Sequence, residues 1–354
     1  MTAGNGTFDG AIHLASEGFA KHAGGVRRAA FELLDALRRR NAAVHVARWV
    51  DSKPLEPGEP APSVLRRGLL QGADLMALTR RRIRHRAAVT HSLYYDPSIL
   101  LAPRPVVVTV YDMIHERFDA GRRSLRFEKR LTVGRADVVV AISQATADDV
   151  REFFPNVRDV RVIHLGVARS ITDAPLPLSP TRDHLLYVGQ RNQYKNFCLL
   201  LDALEQSSDL CHLPLVLVGG GPLTLTERAR LASLPGRRPI AHHDAVDETT
   251  LIDLYDHSLA LVVPSICEGF GLPVIEAMTR ECPVACSTAP SLVEISQGHS
   301  SLFDPHSAGQ LADAVRRSIS STVAERRSAR LHARQFTWDT VAGHHLDLYR
   351  DIMS

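Results

Sequence analysis

The chain has 354 residues and a mass of 39.0 kDa, a length that favours two domains. Its composition of 45% hydrophobic and 23% charged residues is that of a globular protein, and no apolar run approaches the roughly 18 residues that span a bilayer. The net charge of +3 divides unevenly: residues 1–168 hold 26 basic and 18 acidic residues (+8), whereas residues 169–354 hold 16 and 21 (−5), which suggests two domains with different partners.

Short runs rich in valine, isoleucine and leucine alternate with helical patterns along the chain. In the first half a helix is predicted at 25–40, and strands are predicted at 43–50, 87–93, 106–113, 136–143 and 160–167. In the second half a helix is predicted at 197–206, and strands at 184–190, 214–221, 239–246, 258–265, 282–287 and 300–304. Apolar strands separated by helices predict parallel sheets that are covered on both faces.

This alternation occurs twice and is interrupted by ITDAPLPLSPTR, residues 171–182, whose three prolines and missing periodicity are typical of a linker. We therefore predict an α/β protein with two doubly wound parallel-sheet domains, at 1–170 and 183–335. The tail 336–354 has a helical pattern that places Trp338, Val341, His345, Leu348 and Ile352 on one face, as in a packing helix. Ligands of such domains bind at the carboxyl ends of the strands, so we expect the site in the cleft between the domains.

The most informative segment is EGFGLPVIEAM, residues 268–278, which follows a predicted strand and opens a helix. Gly269 and Gly271 permit a tight turn, and a helix start of this kind is an anion site that suits phosphate. Glu268 and Glu276 flank the turn, and carboxylates can accept hydrogen bonds from sugar hydroxyls. The segment therefore suggests a phosphate between two sugars, as in a nucleoside diphosphate sugar.

Two further segments fit a phosphate ligand. YVGQRNQYKNF, residues 187–197, places Arg191 and Lys195 four residues apart at the end of a predicted strand, where a guanidinium fork and an ammonium group can hold phosphate oxygens. HAGGVRR, residues 22–28, places a Gly-Gly turn before the first predicted helix.

Together these segments carry a family resemblance. EGFGLPVIE resembles the E-x7-E motif of the retaining family 4 glycosyltransferases, YVGQRNQYKNF is similar to their Arg/Lys diphosphate loop, and HAGGVRR is similar to their Gly-Gly loop. HSLYYDP, TVYDMIHERF, VAISQAT, LVGGGP and FTWD resemble family segments in the expected order, so the resemblance covers nearly the whole chain. It implies a GT-B fold, in which two Rossmann-like domains face each other and a C-terminal helix crosses back to the first.

The resemblance also implies an activity: retaining transfer of a sugar from a GDP-, UDP- or dTDP-linked donor to a hydroxyl acceptor, without a metal or other cofactor. The second domain would hold the donor and the first the acceptor. Glu276 would bind the ribose, Glu268 would face the transferred sugar, and Arg191 and Lys195 would hold the diphosphate and stabilise the leaving group. The other implied donor-binding positions are Gly25, Gly189, Gly220, Phe270, Gly271 and Leu272. Many relatives have an acidic residue where Gly220 stands.

His91 and Asp112 are the candidates on the acceptor side, since both are expected to follow a strand end. The family often has a histidine in the loop of His91, although a register two residues later would put Leu93 there. The family often has His-Asp where this chain has Tyr111-Asp112. The alternative for His91 is a loop histidine bonded to the backbone.

Two other functions compete with a transferase. A glycoside hydrolase would use Glu268 and Glu276 as an acid/base pair, but hydrolases need their carboxylates across one bond, whereas here a phosphate-type turn lies between them. A non-catalytic nucleotide-sugar-binding module would have the same fold, and the presence of all four charged residues argues against it.

The basic first half contains two clusters of arginines and lysines, at 80–86 and 122–130. They are either solvated helix faces or a peripheral contact with an anionic membrane, where lipid-linked acceptors would lie. Nucleic acid is not expected as a partner, because no binding motif accompanies the charge. The N-terminus lacks the pattern of a secretory signal, and five cysteines without CxxC spacing favour a reducing cytoplasm. By analogy with the family, polysaccharide or glycolipid assembly is the expected setting.

Overall fold

The computed structural model describes residues 10–15, 25–46, 88–118, 123–178, 180–236 and 239–354. The chain divides into two compact units. The first contains Met1–Gly166 together with Thr337–Ser354, and the second contains Val167–Phe336. The predicted basic cluster at 80–86 and residues 22–24 of the HAGGVRR segment lie outside the described residues.

The first unit is built on a parallel sheet with the strand order β2-β1-β3-β4-β5-β6. Its strands are β1 (Ala11–Leu14), β2 (Ala43–Val46), β3 (Ala88–Ser92), β4 (Val106–Val110), β5 (Val138–Ala141) and β6 (Val160–Val162). Its helices are α1 (Gly25–Arg39), α2 (Ile114–Arg117), α3 (Arg123–Arg135) and α4 (Gln144–Phe153). Every residue of β4 and β5 is buried, as expected for central strands covered on both faces.

The second unit contains a parallel sheet with the strand order β12-β11-β10-β7-β8-β9. Its strands are β7 (His184–Val188), β8 (Leu215–Val218), β9 (Ile240–His243), β10 (Ser258–Val263), β11 (Val284–Ser287) and β12 (Ser301–Phe303). Its helices are α5 (Arg169–Asp173), α6 (Phe197–Gln206), α7 (Leu225–Ala232), α8 (Glu248–His257), α9 (Leu272–Thr279), α10 (Pro290–Ser296), α11 (Ala308–Ile319) and α12 (Val323–Ala333). Thus the predicted α/β class with two doubly wound parallel sheets is confirmed.

Among the described strands, β1 is the one that the sequence pattern misses. Its four residues, AIHL, include His13 and form too short an apolar run to stand out. The strand is nevertheless completely buried, and it pairs with both β2 and β3. Here the neighbouring strands, rather than local sequence, determine the extended conformation.

The segment 171–182, predicted as a linker, begins inside α5 and is tied to the second unit. The buried guanidinium of Arg280 donates to the carbonyl oxygens of Ala174 at 2.7 Å and Pro175 at 2.8 Å. The same guanidinium forms a two-pronged ion pair with the buried carboxylate of Asp256 at 2.6–2.8 Å. One side chain thus satisfies several backbone acceptors in a proline-rich segment that cannot form regular structure.

The last helix, α13 (Trp338–Met353), packs against α1 in the first unit. Four of the five predicted face residues (Trp338, Val341, His345 and Leu348) are buried, and Ile352 is half-buried. Gly166 permits a close approach at the start of the helix, since a Cβ there would lie 2.5 Å from the backbone nitrogen of Trp338.

A polar cluster lies inside this helix packing. The imidazole of His91 bonds the Tyr349 hydroxyl at 2.5 Å and the Thr109 hydroxyl at 2.8 Å, and it stacks on His345 with ring centroids 5.4 Å apart. His345 Nδ1 lies 2.9 Å from the Val341 carbonyl. Burial, with the neighbouring histidine adding to it, lowers the pKa of His91 well below its ordinary value, and burial lowers the pKa of His345 to about 4. Both rings are therefore neutral in the native state at neutral pH.

This cluster makes stability sensitive to acid. In the unfolded chain His345 binds a proton near pH 6.5, whereas in the folded protein it binds one only near pH 4. The stability that its neutral ring contributes is therefore fully present above pH 6.5 and is lost as the pH falls towards 4. The loss amounts to about 3 kcal/mol of unfolding free energy for this group. Urea unfolding at pH 7.0 and pH 4.5 measures it, and His345→Leu is expected to flatten the difference. An equal pH dependence in both proteins would contradict this interpretation.

Candidate active site

In the second sheet the strand order changes direction between β7 and β10, and the loops after these two strands leave the same edge. Such a switch point forms the ligand crevice of open parallel sheets. The loop after β7 contains Lys195, and the loop after β10 contains Glu268. The Ile266 amide donates to the Tyr194 carbonyl at 2.7 Å and so joins the two loops.

Lys195 and Glu268 form an ion pair, with the ammonium nitrogen 2.6 Å from Oε1 of the carboxylate. The same oxygen accepts a hydrogen bond from the Ser265 hydroxyl at 2.7 Å, and the Glu268 carbonyl accepts one from Ser291 at 2.8 Å. The Lys195 side chain is 21% exposed and that of Glu268 11%, so the pair faces solvent along one side. The structure thus fixes a cation and an anion next to each other in the crevice.

The start of α9 lies four residues beyond Glu268, after the N-cap residue Gly271. Gly271 has a φ of +105°, and a Cβ there would lie 2.4 Å from Leu292 Cδ2, so only glycine fits. The helix begins at Leu272, with Pro273 in its first turn, where the missing N–H costs nothing. Phe270 is buried and packs edge-on against Phe336, with ring centroids 5.9 Å apart. The first turn of α9 therefore presents its amide dipoles beside the Lys195–Glu268 pair.

Glu276 lies one turn into α9 and is 6% exposed. Its Oε2 accepts a hydrogen bond at 3.0 Å from the hydroxyl of Tyr255, which is fully buried on α8. A buried carboxylate keeps its charge only with such partners. Tyr255 therefore orients Glu276, and sequence reasoning missed it because α8 carries no motif.

The guanidinium of Arg191, predicted as a phosphate ligand, contacts protein groups in this structure. Its guanidinium donates to the carbonyl oxygens of Gly219, Gly220, Gly221 and Pro222, with the Gly221 bond at 2.7 Å, and it pairs with Glu227 at 2.8 Å. Its side chain is only 3% exposed. All three guanidinium nitrogens donate to protein acceptors, because the four converging carbonyl groups outcompete solvent for these planar donors. In this structure Arg191 therefore clamps the glycine loop, and its role towards the diphosphate stays a prediction.

The glycines around this clamp have a clear physical reason. Gly220 has a φ of +79°, which L side chains rarely adopt, and a Cβ there would lie 2.6 Å from the Arg191 guanidinium, so a side chain at this position would be strained and would displace the arginine. Gly219 and Gly220 both have positive φ angles, as does Gly189 at the end of β7. A Cβ on Gly219 would approach the Gly189 carbonyl at 3.2 Å. The loops after β7 and β8 thus pack backbone against backbone.

In the first unit the prediction for His91 is wrong in its placement. His91 lies within β3, not after it, and its ring is fully buried in the cluster with Tyr349. Leu93, the alternative, is 1% exposed. A ring that packs the last helix cannot reach solvent in this conformation, so His91 is a core residue here.

Asp112 follows β4 at the carboxyl edge of the first sheet, as predicted. It is half-buried, and its Oδ1 accepts from the Ile114 amide at 3.2 Å. Its carbonyl accepts from the fully buried ammonium group of Lys129 at 3.0 Å, and Lys129 pairs with Glu116 at 2.7 Å. A buried cation therefore holds the backbone of this loop, which sequence reasoning missed because Lys129 lies within a basic run. Gly25 is exposed at the start of α1.

With this geometry established, the sequence comparisons are informative. Residues 23–170 match the family described as Glycosyltransferase Family 4, and residues 169–336 match Glycosyl transferases group 1. The chain belongs to the family 4-like glycosyltransferases. This family membership argues against the hydrolase alternative.

Relatives of this glycosyltransferase include a D-inositol 3-phosphate glycosyltransferase of Streptomyces bingchenggensis, 30% identical over 62% of this chain and 54% of the relative. The chain thus spans about half the length of that protein. An O-antigen chain mannosyltransferase B of Escherichia coli is 25% identical over 85% of both chains.

A sucrose-phosphate synthase structure from Thermosynechococcus elongatus superimposes with a TM-score of 0.72 at 20% identity, covering 97% of this chain and 98% of the other. This likeness confirms the GT-B fold.

The two basic side chains of the loop after β7 should behave differently on mutation. Arg191→Ala leaves four carbonyls and Glu227 without their cation, so we expect a loss of about 3 kcal/mol in unfolding free energy. Lys195→Ala, in a partly exposed pair, should change stability by less than about 1 kcal/mol. Thermal and urea unfolding of both variants measure this. A fully stable Arg191→Ala protein that has lost nucleotide affinity would support the diphosphate role.

Proposed function

We propose that this glycosyltransferase moves a sugar from a nucleoside diphosphate sugar to a hydroxyl acceptor with retention of anomeric configuration. The observation that carries the proposal is the Lys195–Glu268 pair at the switch point, beside the start of α9. A cation, a helix start and two carboxylates within one crevice match the alternating charges of a diphosphate between two sugars.

Lys195 is proposed to hold the diphosphate. Its ammonium group carries three N–H donors, and it donates to Glu268 at 2.6 Å. As the bond between the anomeric carbon and the phosphate oxygen breaks, negative charge develops on the diphosphate. A donor already fixed at that place stabilises the charge without reorganisation. The amides of Leu272 and its neighbours add the helix dipole to the same site.

The proposed retaining step needs no protein nucleophile. The acceptor oxygen forms its bond to the anomeric carbon on the face that the phosphate leaves, and a leaving phosphate oxygen takes the acceptor proton. Glu268, fixed by Ser265, is proposed to accept hydrogen bonds from the transferred sugar. Glu276, oriented by Tyr255, is proposed to accept them from the ribose. Because the cationic and dipolar groups belong to the protein, we propose transfer without a metal.

Asp112 is proposed as the acceptor-side residue, because it lies at the carboxyl edge of the first sheet, where ligands of such sheets bind. The relatives named above suggest a saccharide or inositol-type hydroxyl as acceptor, in polysaccharide or glycolipid assembly. A cytoplasmic location fits the cysteines, all five of which are free thiols. No helix in the described part of the chain is long and apolar enough to cross a membrane.

Lys195→Ala should lower turnover about a hundred- to a thousandfold, because one preorganised donor to the leaving group is lost. Initial rates with an assigned donor and acceptor measure the effect. Arg327→Ala, which removes an exposed cation from α12, is the matched control and should keep parental turnover. Since the substitution also leaves Glu268 without its cation, Lys195→Ala/Glu268→Gln tests whether that carboxylate causes the loss. Parental turnover in Lys195→Ala would refute the diphosphate role.

Binding of the donor's nucleotide part should stabilise the protein, because a ligand that binds only the native state raises its melting temperature. A thermal-shift panel of GDP, UDP, dTDP and ADP, with and without EDTA, is expected to give one dominant shift that EDTA leaves unchanged. Glu276→Gln should reduce that shift. No shift with any of the four would count against the proposed activity, and a shift abolished by EDTA would count against metal-free binding.

A further inference from the structure

The outer surface of the first unit has a groove between α3 and α4 that the proposed reaction does not use. It consists of two adjoining cavities of about 640 and 370 Å³, which share Arg130, Phe153 and Phe154. We call it the Arg–Phe groove and define it by six lining residues: Arg123, Arg130, Arg158, Phe127, Phe153 and Phe154. Its volume is that of a site for a small molecule or a lipid headgroup.

The groove is cationic after its own ion pairs are taken into account. The two acidic side chains that line it are already neutralised, since Asp137 pairs with Arg104 and Glu116 pairs with Lys129. Arg123, Arg130 and Arg158 are exposed and form no ion pair within the described part of the chain. They come from two separate segments of the chain, so it is the tertiary structure that brings their charges together. Arg130 lines both cavities, Arg123 lines the smaller one and Arg158 the larger one, and guanidinium groups around adjoining cavities favour a ligand with phosphate groups.

The aromatic residues of the groove are placed for apolar insertion. Phe127 lies on α3 between the arginines and is 62% exposed. The Arg117 guanidinium lies 5.8 Å from the centre of the Phe153 ring, so a cation already covers one face of that ring. Exposed phenylalanine beside arginine is the composition of surfaces that insert into the headgroup region of a bilayer.

The larger cavity lies at the opposite edge of the first sheet from Asp112, the proposed acceptor-side residue. Arg104 precedes β4, Asp137 precedes β5 and Arg158 precedes β6, so its lining comes from the amino ends of these strands. Asp112 and the other ligand-type loops leave the carboxyl ends. A ligand there would leave the carboxyl edge of this unit open.

We propose that the Arg–Phe groove binds the anionic phospholipid headgroups of a membrane surface. The three arginines hold lipid phosphates, and Phe127 inserts among the acyl chains next to the headgroups. A free phosphate would use the arginines alone and leave Phe127 without a role. The proposal does not depend on the identity of the donor or acceptor, since binding to vesicles needs neither.

The test is co-sedimentation of the full chain with vesicles of phosphatidylcholine containing 30% phosphatidylglycerol, against pure phosphatidylcholine, in 0.1 M NaCl. Binding is expected only to the anionic vesicles and should weaken at 0.5 M NaCl, because salt screens exposed charges. Each arginine removed should lower the partition coefficient about fivefold, so Arg123→Ala/Arg130→Ala/Arg158→Ala should lower it about a hundredfold. Phe127→Ala should lower it severalfold, and Phe127→Trp should restore it.

The matched control is Arg317→Ala/Arg327→Ala/Arg334→Ala, which removes three exposed cations from the second unit. Equal losses of vesicle binding in the two triple variants would show an effect of net charge and would overturn the proposal that the groove binds lipid. Parental binding by the groove variant would overturn it as well. Binding to an oligonucleotide but not to vesicles, or full competition by millimolar inorganic phosphate, would also overturn the lipid assignment. If the triple variant fails to fold, Arg158→Gln in the loop before β6 gives the same comparison with a fivefold effect.

Discussion

The strands of a parallel sheet all end at the same edge. In the second unit, the position of the candidate site depends on where the strand order reverses. Because β7 and β10 are neighbours and the strand order reverses between them, the loops after these strands lie at the edge where open parallel sheets bind their ligands. A backbone hydrogen bond from Ile266 to Tyr194 joins these loops and brings Lys195 against Glu268. The candidate chemistry therefore results from topology: two residues 73 positions apart in the sequence become one ion pair.

The surroundings of this pair combine rigidity with charge. Gly271 permits a backbone turn with a φ of +105°, in which any side chain would be strained and would also press on Leu292. Arg191 lies in the loop after β7 and locks the glycine loop after β8, so this guanidinium holds the two loops together. Lys195 remains as the partly exposed cation of the loop after β7. The two basic residues differ in burial and in contacts because a guanidinium can donate to several carbonyl groups in one plane at once, which an ammonium group cannot do.

The structure also explains the difference in net charge between the two halves of the sequence. Within the second unit, with its acidic average, local cations and a helix start form the candidate anion site, so the net charge of a domain does not predict its ligand. Within the basic first unit, part of the positive charge is internal: Lys129 is fully buried and supports the Asp112 loop. Another part converges at the Arg–Phe groove on the amino edge of the sheet.

The sequence by itself determined the α/β class, eleven of the twelve described strands and the position of the Glu268–Glu276 segment, because apolar periodicity and glycine turns are local properties. It also located the last helix and most of its buried face. The tertiary structure decided the contacts between distant residues, which a local sequence pattern cannot specify. It buried His91 against Tyr349, turned Arg191 towards the backbone of another loop, and supplied Tyr255 and Ser265 as partners for the two glutamates. A side chain's role depends on which acceptors and charges lie within about 3 Å of it, and those come from distant parts of the chain.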